Sequence, residues 1–381
     1  MKTVRTVRYI HKPCDLKVVK FGGTSLANAE NILNAKAIIE ADPSRSFVVV
    51  SAPGKCIDFP RKVTDLLIDA HAQLCFEETC DSCDSVFNRF EKLGADLDID
   101  INAELERARE EIYINKCDYD FVVSRGEYLM AVLFAKLLGW QFLDAAHYIV
   151  IKDNGLVDLE ATKMNFRSIA QGRYVLGGFY GAHAPLGSAR KTGTCVKVFA
   201  RGGSDYSGAI AAVCLNASVY ENFTDTYGVQ SANPTVVKNT ETVAEIDYMT
   251  LYRLCKGGAS VIYPNCIPLL RRAAMPLKVD CTFDPGRKST FVTAQKPIKP
   301  FFSITYETKQ NINKDTVEIL CVIHKIEFSL SHLRSVLKDI EVYLVEFSKR
   351  EFRLITPASN LTVVINLLHK SLTKSKSIVL A

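Results

Sequence analysis

The stretch KVVKFGGTSLANAENI, residues 17–32, carries an apolar segment into a lysine, two glycines and two hydroxyl residues, and then into an amphipathic pattern. Val18, Val19 and Phe21 fit a buried strand. Leu26, Ile32, Leu33 and Ile38 make the apolar stripe of a helix expected over 25–41, with Thr24 or Ser25 as its cap. A strand that delivers glycines to a helix start offers unpaired N–H groups and the positive helix end to an anion, and glycine lets the anion come close. Phosphate is the natural guest, and Lys20 adds a point charge. The segment is not a GxxxxGK[ST] loop. Taken alone, the same letters also describe a tight turn beside a surface lysine.

The rest of the chain sets the class. Its 381 residues are 48% hydrophobic and 23% charged, enough for a large core and more than one domain. A formal charge of +5, with Lys and Arg scattered, argues against nucleic acid as a partner. No apolar run approaches the roughly 20 residues that span a bilayer, so no membrane segment is expected. The partner is expected to be a small molecule. Residues 1–15 contain Lys2, Arg5, Arg8 and Lys12 and read as a solvated basic arm rather than a transit segment. The twelve cysteines are dispersed, which fits reduced thiols and a cytoplasmic location. Cys80 and Cys83 form a CxxC without a second ligand pair, so no metal site is expected there.

From 16 to 292 short β-branched runs alternate with helical ones, the pattern of an α/β fold with a mostly parallel sheet. Strands are expected at 16–21, 46–52, 120–123, 141–144, 173–179, 195–199, 218–224 and 276–281. The nearly all-apolar 126–138 reads as a buried helix, and 77–118 as a solvated helical insertion. AQKPIKP makes 293–300 a linker. Beyond it, strand 316–323, helix 329–338, strands 341–347 and 350–356, helix 359–370 and strand 376–380 form one βαββαβ unit over 301–381, with 301–306 as a possible extra strand.

Two further stretches carry chemistry. ARGGSDYSG, 200–208, repeats the glycine-to-helix device, with Asp205 able to hold Mg²⁺ or an ammonium group and Arg201 suited to clamp a carboxylate. A plain turn capped by Asp205 would need no function. In VVSRGEYL, 122–129, Glu127 sits in what reads as the first turn of the apolar helix. There it either serves the helix dipole or binds a substrate amine, while Arg125 reads as a solvent charge or ion-pair partner.

Together these stretches resemble the aspartate kinase family of the amino acid kinase superfamily. KFGGTS (20–25), VVVSAPGK (48–55), KVTDLL (62–67), SRGE (124–127), GFYGA (178–182), RGGSD (201–205), YENFTD (220–225) and GASVIYP (258–264) follow its motifs in order. The resemblance implies an amino acid kinase-like three-layer sandwich over 16–292 and an ACT-like, ferredoxin-like unit over 301–381. It implies ATP- and Mg²⁺-dependent phosphorylation of the side-chain carboxylate of L-aspartate. It casts Lys20 and Asp205 as catalytic, with Gly22, Gly23, Thr24, Ser25, Ser204, Thr224, Asp225 and Gly228 around the nucleotide. Ser51, Thr64, Glu127, Arg201 and Ser204 would meet the substrate. A homodimer or higher oligomer and an allosteric amino acid are also implied.

The chain departs from the family where TDTYGVQSANPT puts Asn233 and Thr235 at the usual Asp and Arg, and where Ser260 replaces a common lysine. Residues 183–197 are long for their place and read as a flap. One ACT-like unit stands where the family usually has two, so feedback is expected to be reduced or moved. A kinase for another small carboxylate and a non-catalytic amino-acid sensor are the alternatives.

Overall fold

The valine-rich strand that opens the chain becomes the centre of a sheet because both of its faces are covered. The computed structural model describes residues 15–76, 79–169, 171–183, 196–200, 202–311 and 314–380. In chain order the strands before the connector are β1 (Lys17–Phe21), β2 (Arg45–Val50), β3 (Gln141–Leu143), β4 (Val150–Ile151), β5 (Tyr174–Gly177), β6 (Tyr180–His183), β7 (Val196–Val198), β8 (Val219–Thr224), β9 (Glu245–Asp247), β10 (Leu277–Cys281) and β11 (Thr290–Thr293). The helices are α1 (Ala29–Glu40), α2 (Val63–Leu74), α3 (Asp81–Asp96), α4 (Asn102–Ile114), α5 (Tyr119–Leu138), α6 (Ala145–Tyr148), α7 (Leu159–Phe166), α8 (Gly203–Cys214), α9 (Tyr248–Lys256) and α10 (Cys266–Arg272).

The main sheet runs β3-β5-β2-β1-β8-β10-β11-β9, and only β10 and β11 pair antiparallel. A second small sheet joins β4, β6 and β7. Strand alternation splits the core in two. Val19, Phe21, Val48 and Val50 pack with α1 to α5 on one face, while Val18, Val49 and Leu176 pack with α8 to α10 on the other. Lys20 follows Val18 by two residues and therefore faces α8. The chain reverses its direction across the sheet between β1 and β8, and the carboxyl ends of such strands are where an open α/β sheet leaves a ligand crevice.

Several expectations change. The strand expected at 120–123 is part of α5, whose cap is Asp118: its Oδ1 accepts from the Phe121 amide at 3.0 Å. The β-branched Val122 and Val123 are buried in a helix by tertiary packing. The helix expected over 25–41 divides into a 3₁₀ turn, Thr24–Leu26, and α1, capped by Asn28 rather than Thr24 or Ser25. The 77–118 segment is not a solvated insertion. Val86, Phe87, Phe90 and Leu93 of α3 are buried in the core. Phe90→Ala should therefore cost about 3–5 kcal/mol of unfolding free energy in a urea titration. The CxxC is local structure: Cys80 caps α3, its sulfur accepting from the Cys83 amide at 3.2 Å.

Past the connector come β12 (Phe301–Asn311), β13 (Lys314–His324), α11 (Leu330–Val336), β14 (Tyr343–Phe347), β15 (Glu351–Pro357) and α12 (Leu361–Leu380). Their sheet order is β12-β13-β15-β14, wholly antiparallel, over a core that includes Ile319, Phe352, Ile365 and Leu368. The ACT-like layer is present, but the strand expected at 376–380 is helix. Val364, Leu368 and Leu372 recur at i, i+4, i+8 and are fully buried, which holds α12 straight through. The place beside β13 that a last strand would take is filled by β12, the strand expected only in part at 301–306. Among the described residues no helix is long and apolar enough to cross a membrane.

Candidate functional site

The carboxyl ends of β1 and β2, the starts of α2 and α8, and the middle of α5 enclose a cleft of about 680 Å³. Lys20, Gly22, Gly23, Thr24, Ser51, Thr64, Glu127, Ser204 and Asp205 all line it. Residues spread over nearly two hundred positions of sequence are thus brought to one place.

Lys20 is 6% exposed, and its Nζ lies 2.6 Å from Oδ1 of Asp205 in the first turn of α8. The other oxygen of Asp205 accepts from the Tyr263 amide at 2.9 Å, and Asn222 Nδ2 reaches Oδ1 at 3.4 Å. Asn222 is paired in register with Lys20 across β1 and β8. Asp205 therefore fixes the ammonium group rather than waiting as a free acid. Asn222 was not singled out in the sequence, although it lies inside the YENFTD motif.

The two glycine turns act differently from the expectation. The Gly22 amide donates to Phe223 O at 3.1 Å and so continues the sheet ladder; it is not free for a phosphate. The amides open to a ligand are those that begin the 3₁₀ turn after Gly23 and those that begin α8, since the first N–H groups of any helix lack internal partners. Gly23 and Gly54 press backbone to backbone, the Gly54 amide donating to Gly23 O at 2.8 Å. A Cβ on Gly54 would lie 2.6 Å from the Gly23 carbonyl carbon, so only glycine fits. Gly202 caps α8 with φ +84°, a conformation that favours glycine. Ser25 is a correction. It is fully buried, with Oγ 2.6 Å from Thr282 Oγ1, and takes no part in the cleft wall.

Glu127 occupies the third turn of α5, so the helix dipole does not explain it. Only 4% exposed, it has one oxygen, Oε2, with no hydrogen-bond partner. Burial pushes its carboxyl up to about 8, partly offset by the Ala52 backbone amide. Below that value the acid keeps its proton, and a cation brought against it would favour the ionised form. Arg125, expected as a solvent charge or an ion-pair partner, is instead buried against the rings of Phe121 and Tyr128, 4.2 and 4.5 Å from their centroids.

A second, smaller pocket of about 230 Å³ adjoins the cleft, and Ser260 lines both. Gly228, Asn233 and Tyr306 are among its walls. Thr224 and Asp225 end β8 at the rim, bonded to each other at 3.3 Å, and line neither space. Two of the three residues that depart from the family pattern form one motif: Asn233 Oδ1 accepts from the amide and the hydroxyl of Thr235 at 2.9 and 2.8 Å. Its Nδ2 donates to Tyr306 of β12 at 3.3 Å. Arg201 and most of the 183–197 stretch lie outside the described residues. No group of three or more His, Cys, Asp or Glu among the described residues is arranged to hold a metal.

The sequence model of the Amino acid kinase family matches residues 15–279. Among curated proteins the chain is 31% identical over 301 residues to aspartokinase 3 of Bacillus subtilis, covering 74% of this chain and 64% of that protein. It is 30% identical over 307 residues to an aspartokinase of Chlamydia pneumoniae, covering 77% and 65%. The chain thus spans just under two thirds of the length of these relatives. Among solved structures, the aspartate kinase of Clostridium acetobutylicum superposes with a TM-score of 0.81 at 22% identity, covering 94% of this chain and 100% of that one. Aspartokinase III of Escherichia coli, solved in complex with aspartate and ADP, superposes at 0.78 and 18%, covering 94% and 100%. These two likenesses establish the fold.

Proposed function

Because this chain belongs to the amino acid kinase family, we propose that it transfers the γ-phosphoryl group of ATP to the side-chain carboxylate of L-aspartate, giving 4-phospho-L-aspartate and ADP. The observation that carries this reading is the cleft itself. A buried ammonium group, two helix starts and a buried carboxyl with one oxygen unbonded converge on one space.

The acceptor is already a nucleophile, so no general base is required. The barrier lies in bringing two anions together and balancing charge on the moving phosphoryl group. Lys20 answers that charge, with Asp205 holding it in place. The amides after Gly23 and at Gly203 and Ser204 receive phosphate oxygens. Glu127 receives the substrate ammonium, Arg201 the α-carboxylate, and Ser51 and Thr64 complete the acceptor's side. The nucleotide extends past Ser260 toward Gly228, with Thr224 and Asp225 at its rim. The triphosphate would supply most of the oxygen ligands that Mg²⁺ needs, since Asp205, an acid lining the cleft, is already engaged by Lys20 and the Tyr263 amide.

The 301–381 unit acts as a regulatory or dimerisation module of a cytoplasmic homo-oligomer, open to an allosteric amino acid. The reaction opens the route from aspartate to lysine, threonine and methionine. Aspartokinase III of Escherichia coli has been solved with aspartate and ADP and with lysine and aspartate, which supports both the substrate and the effector class. The test is ADP release from Mg-ATP with L-aspartate, with hydroxylamine trapping the acyl phosphate as the hydroxamate. Release that requires L-aspartate and yields the hydroxamate is expected. Release with another amino acid alone moves the acceptor, and binding of aspartate without turnover makes the chain a sensor.

A further inference from the structure

Among the described residues the largest fully buried side chain is a charged one. Arg89, in the middle of α3, is 0% exposed. No carboxylate pairs with it among the described residues. Its guanidinium is spent on backbone carbonyls: Nη1 donates to Arg61 O at 3.1 Å, and Nη2 donates to Ala27 O at 2.8 Å and to Gly54 O. Its plane lies under Phe59, 4.9 Å from the ring centroid. Nε has no partner.

Each of the three carbonyls belongs to a different segment of the cleft wall. Ala27 closes the 3₁₀ turn that begins after Gly23. Gly54 touches Gly23 through its own amide, so one residue passes the contact from the guanidinium to the glycine turn. Arg61 directly precedes Lys62, which, with Thr64, also lines the cleft. A core that wanted only packing at this position would use an apolar side chain, since an unpaired buried charge is costly. Five donors in a rigid planar fork are suited to hold three diverging loops at once, which a flexible ammonium group cannot do.

We propose that Arg89 is the positioning residue of the cleft: it fixes the glycine turn, the Ser51–Gly54 loop and the start of α2 relative to one another, and thereby sets the affinity for the triphosphate and the rate of transfer. The inference rests on the phosphoryl-transfer reading above, and extends it to a residue that touches neither substrate.

The experiment compares wild type with Arg89→Lys, which keeps the charge but loses the fork, and Arg89→Met, which loses both. Folding is followed by circular dichroism and melting, affinity for Mg²⁺ with a non-hydrolysable ATP analogue by calorimetry, and KM and kcat by ADP release. Both variants should fold and bind the analogue on the order of tenfold more weakly, with kcat falling by tenfold to a hundredfold, the range expected when reacting groups are misplaced by about an ångström. Lysine should recover little of the loss. A folded Arg89→Lys protein with wild-type affinity and kcat overturns the proposal, as does a loss that vanishes once activity is expressed per folded molecule. Should neither variant fold, Phe59→Leu, at a residue that stacks on Arg89 and does not itself line the cleft, decides: a two- to threefold shift in the same constants supports the role and unchanged constants refute it. If the wild type releases no ADP with L-aspartate, the acceptor assignment fails, while analogue binding still judges Arg89.

Discussion

Lys20→Ala will lower turnover on the order of a hundredfold or more, the loss seen when a single preorganised donor to a developing charge is removed. The geometry explains why the effect falls on kcat. Lys20 is buried against Asp205 at 2.6 Å, and Asp205 is itself held by the Tyr263 amide and Asn222 Nδ2, which donate to its two oxygens. Lys20 therefore brings a fixed positive charge to the cleft without reorganising during the reaction. Its removal also strands Asp205, and breaking a buried pair from one side costs about 3–5 kcal/mol. The double variant Lys20→Ala/Asp205→Asn should recover most of that stability and none of the turnover. Melting temperature and single-turnover rate, measured together, separate the two effects. Near-normal turnover in the single variant would remove Lys20 from the mechanism.

Glu127→Gln should weaken L-aspartate binding by about a hundredfold while making the empty protein more stable at alkaline pH. The sign follows from burial. With the folded carboxyl raised to about 8 from its ordinary 4.5, the folded protein between those limits holds a proton that the unfolded chain has released. Stability contributed by this group is therefore intact below 4.5 and lost as pH rises to about 8, up to roughly 5 kcal/mol in all. Glutamine does not titrate, so the variant gains most above pH 8 and nothing in acid. Ligand binding shows the same linkage. An ammonium group needs the ionised acid, so below pH 8 one proton leaves on binding, and affinity rises about tenfold per pH unit up to that value. Calorimetry in buffers of different ionisation enthalpy reads the proton directly. A pH-independent affinity in the wild type would take the ammonium away from Glu127.

The parts of the fold that could be read from sequence were those where local pattern and tertiary environment agree. Strand β1 and the glycines after it are such a case, as are α8 and the RGGSD turn. Residues 120–123 read as a strand because Val122 and Val123 favour one, yet they lie in a helix buried on every side, where neighbours decide. Glu127 read as serving either the helix dipole or a substrate amine, and the first of these drops out: the helix begins at Tyr119, two turns earlier than the apolar run suggested, and burial, not the dipole, sets its chemistry. Gly22 looked like half of a nest because its amide bond to Phe223 crosses two hundred residues of sequence. Arg89 was invisible for a related reason. Within an acidic helical stretch it has the letters of a solvated face, and only the three loops that fold over it give it a task.

Strand β12 has one further consequence. Residues 303 to 306 wall the small pocket, Ile304 donates its amide to Ser231 O at 2.9 Å, and Ser303 Oγ donates to Gln230 O at 2.7 Å. The seam between modules and the seam around the ligand space therefore do not coincide. A gene cut at the proline-bearing connector, where modular reasoning would place the scissors, takes one side of that chamber away with the discarded half. Conversely, any rocking of the β12-β13-β15-β14 sheet changes the chamber's width directly, because β12 is itself one of its walls.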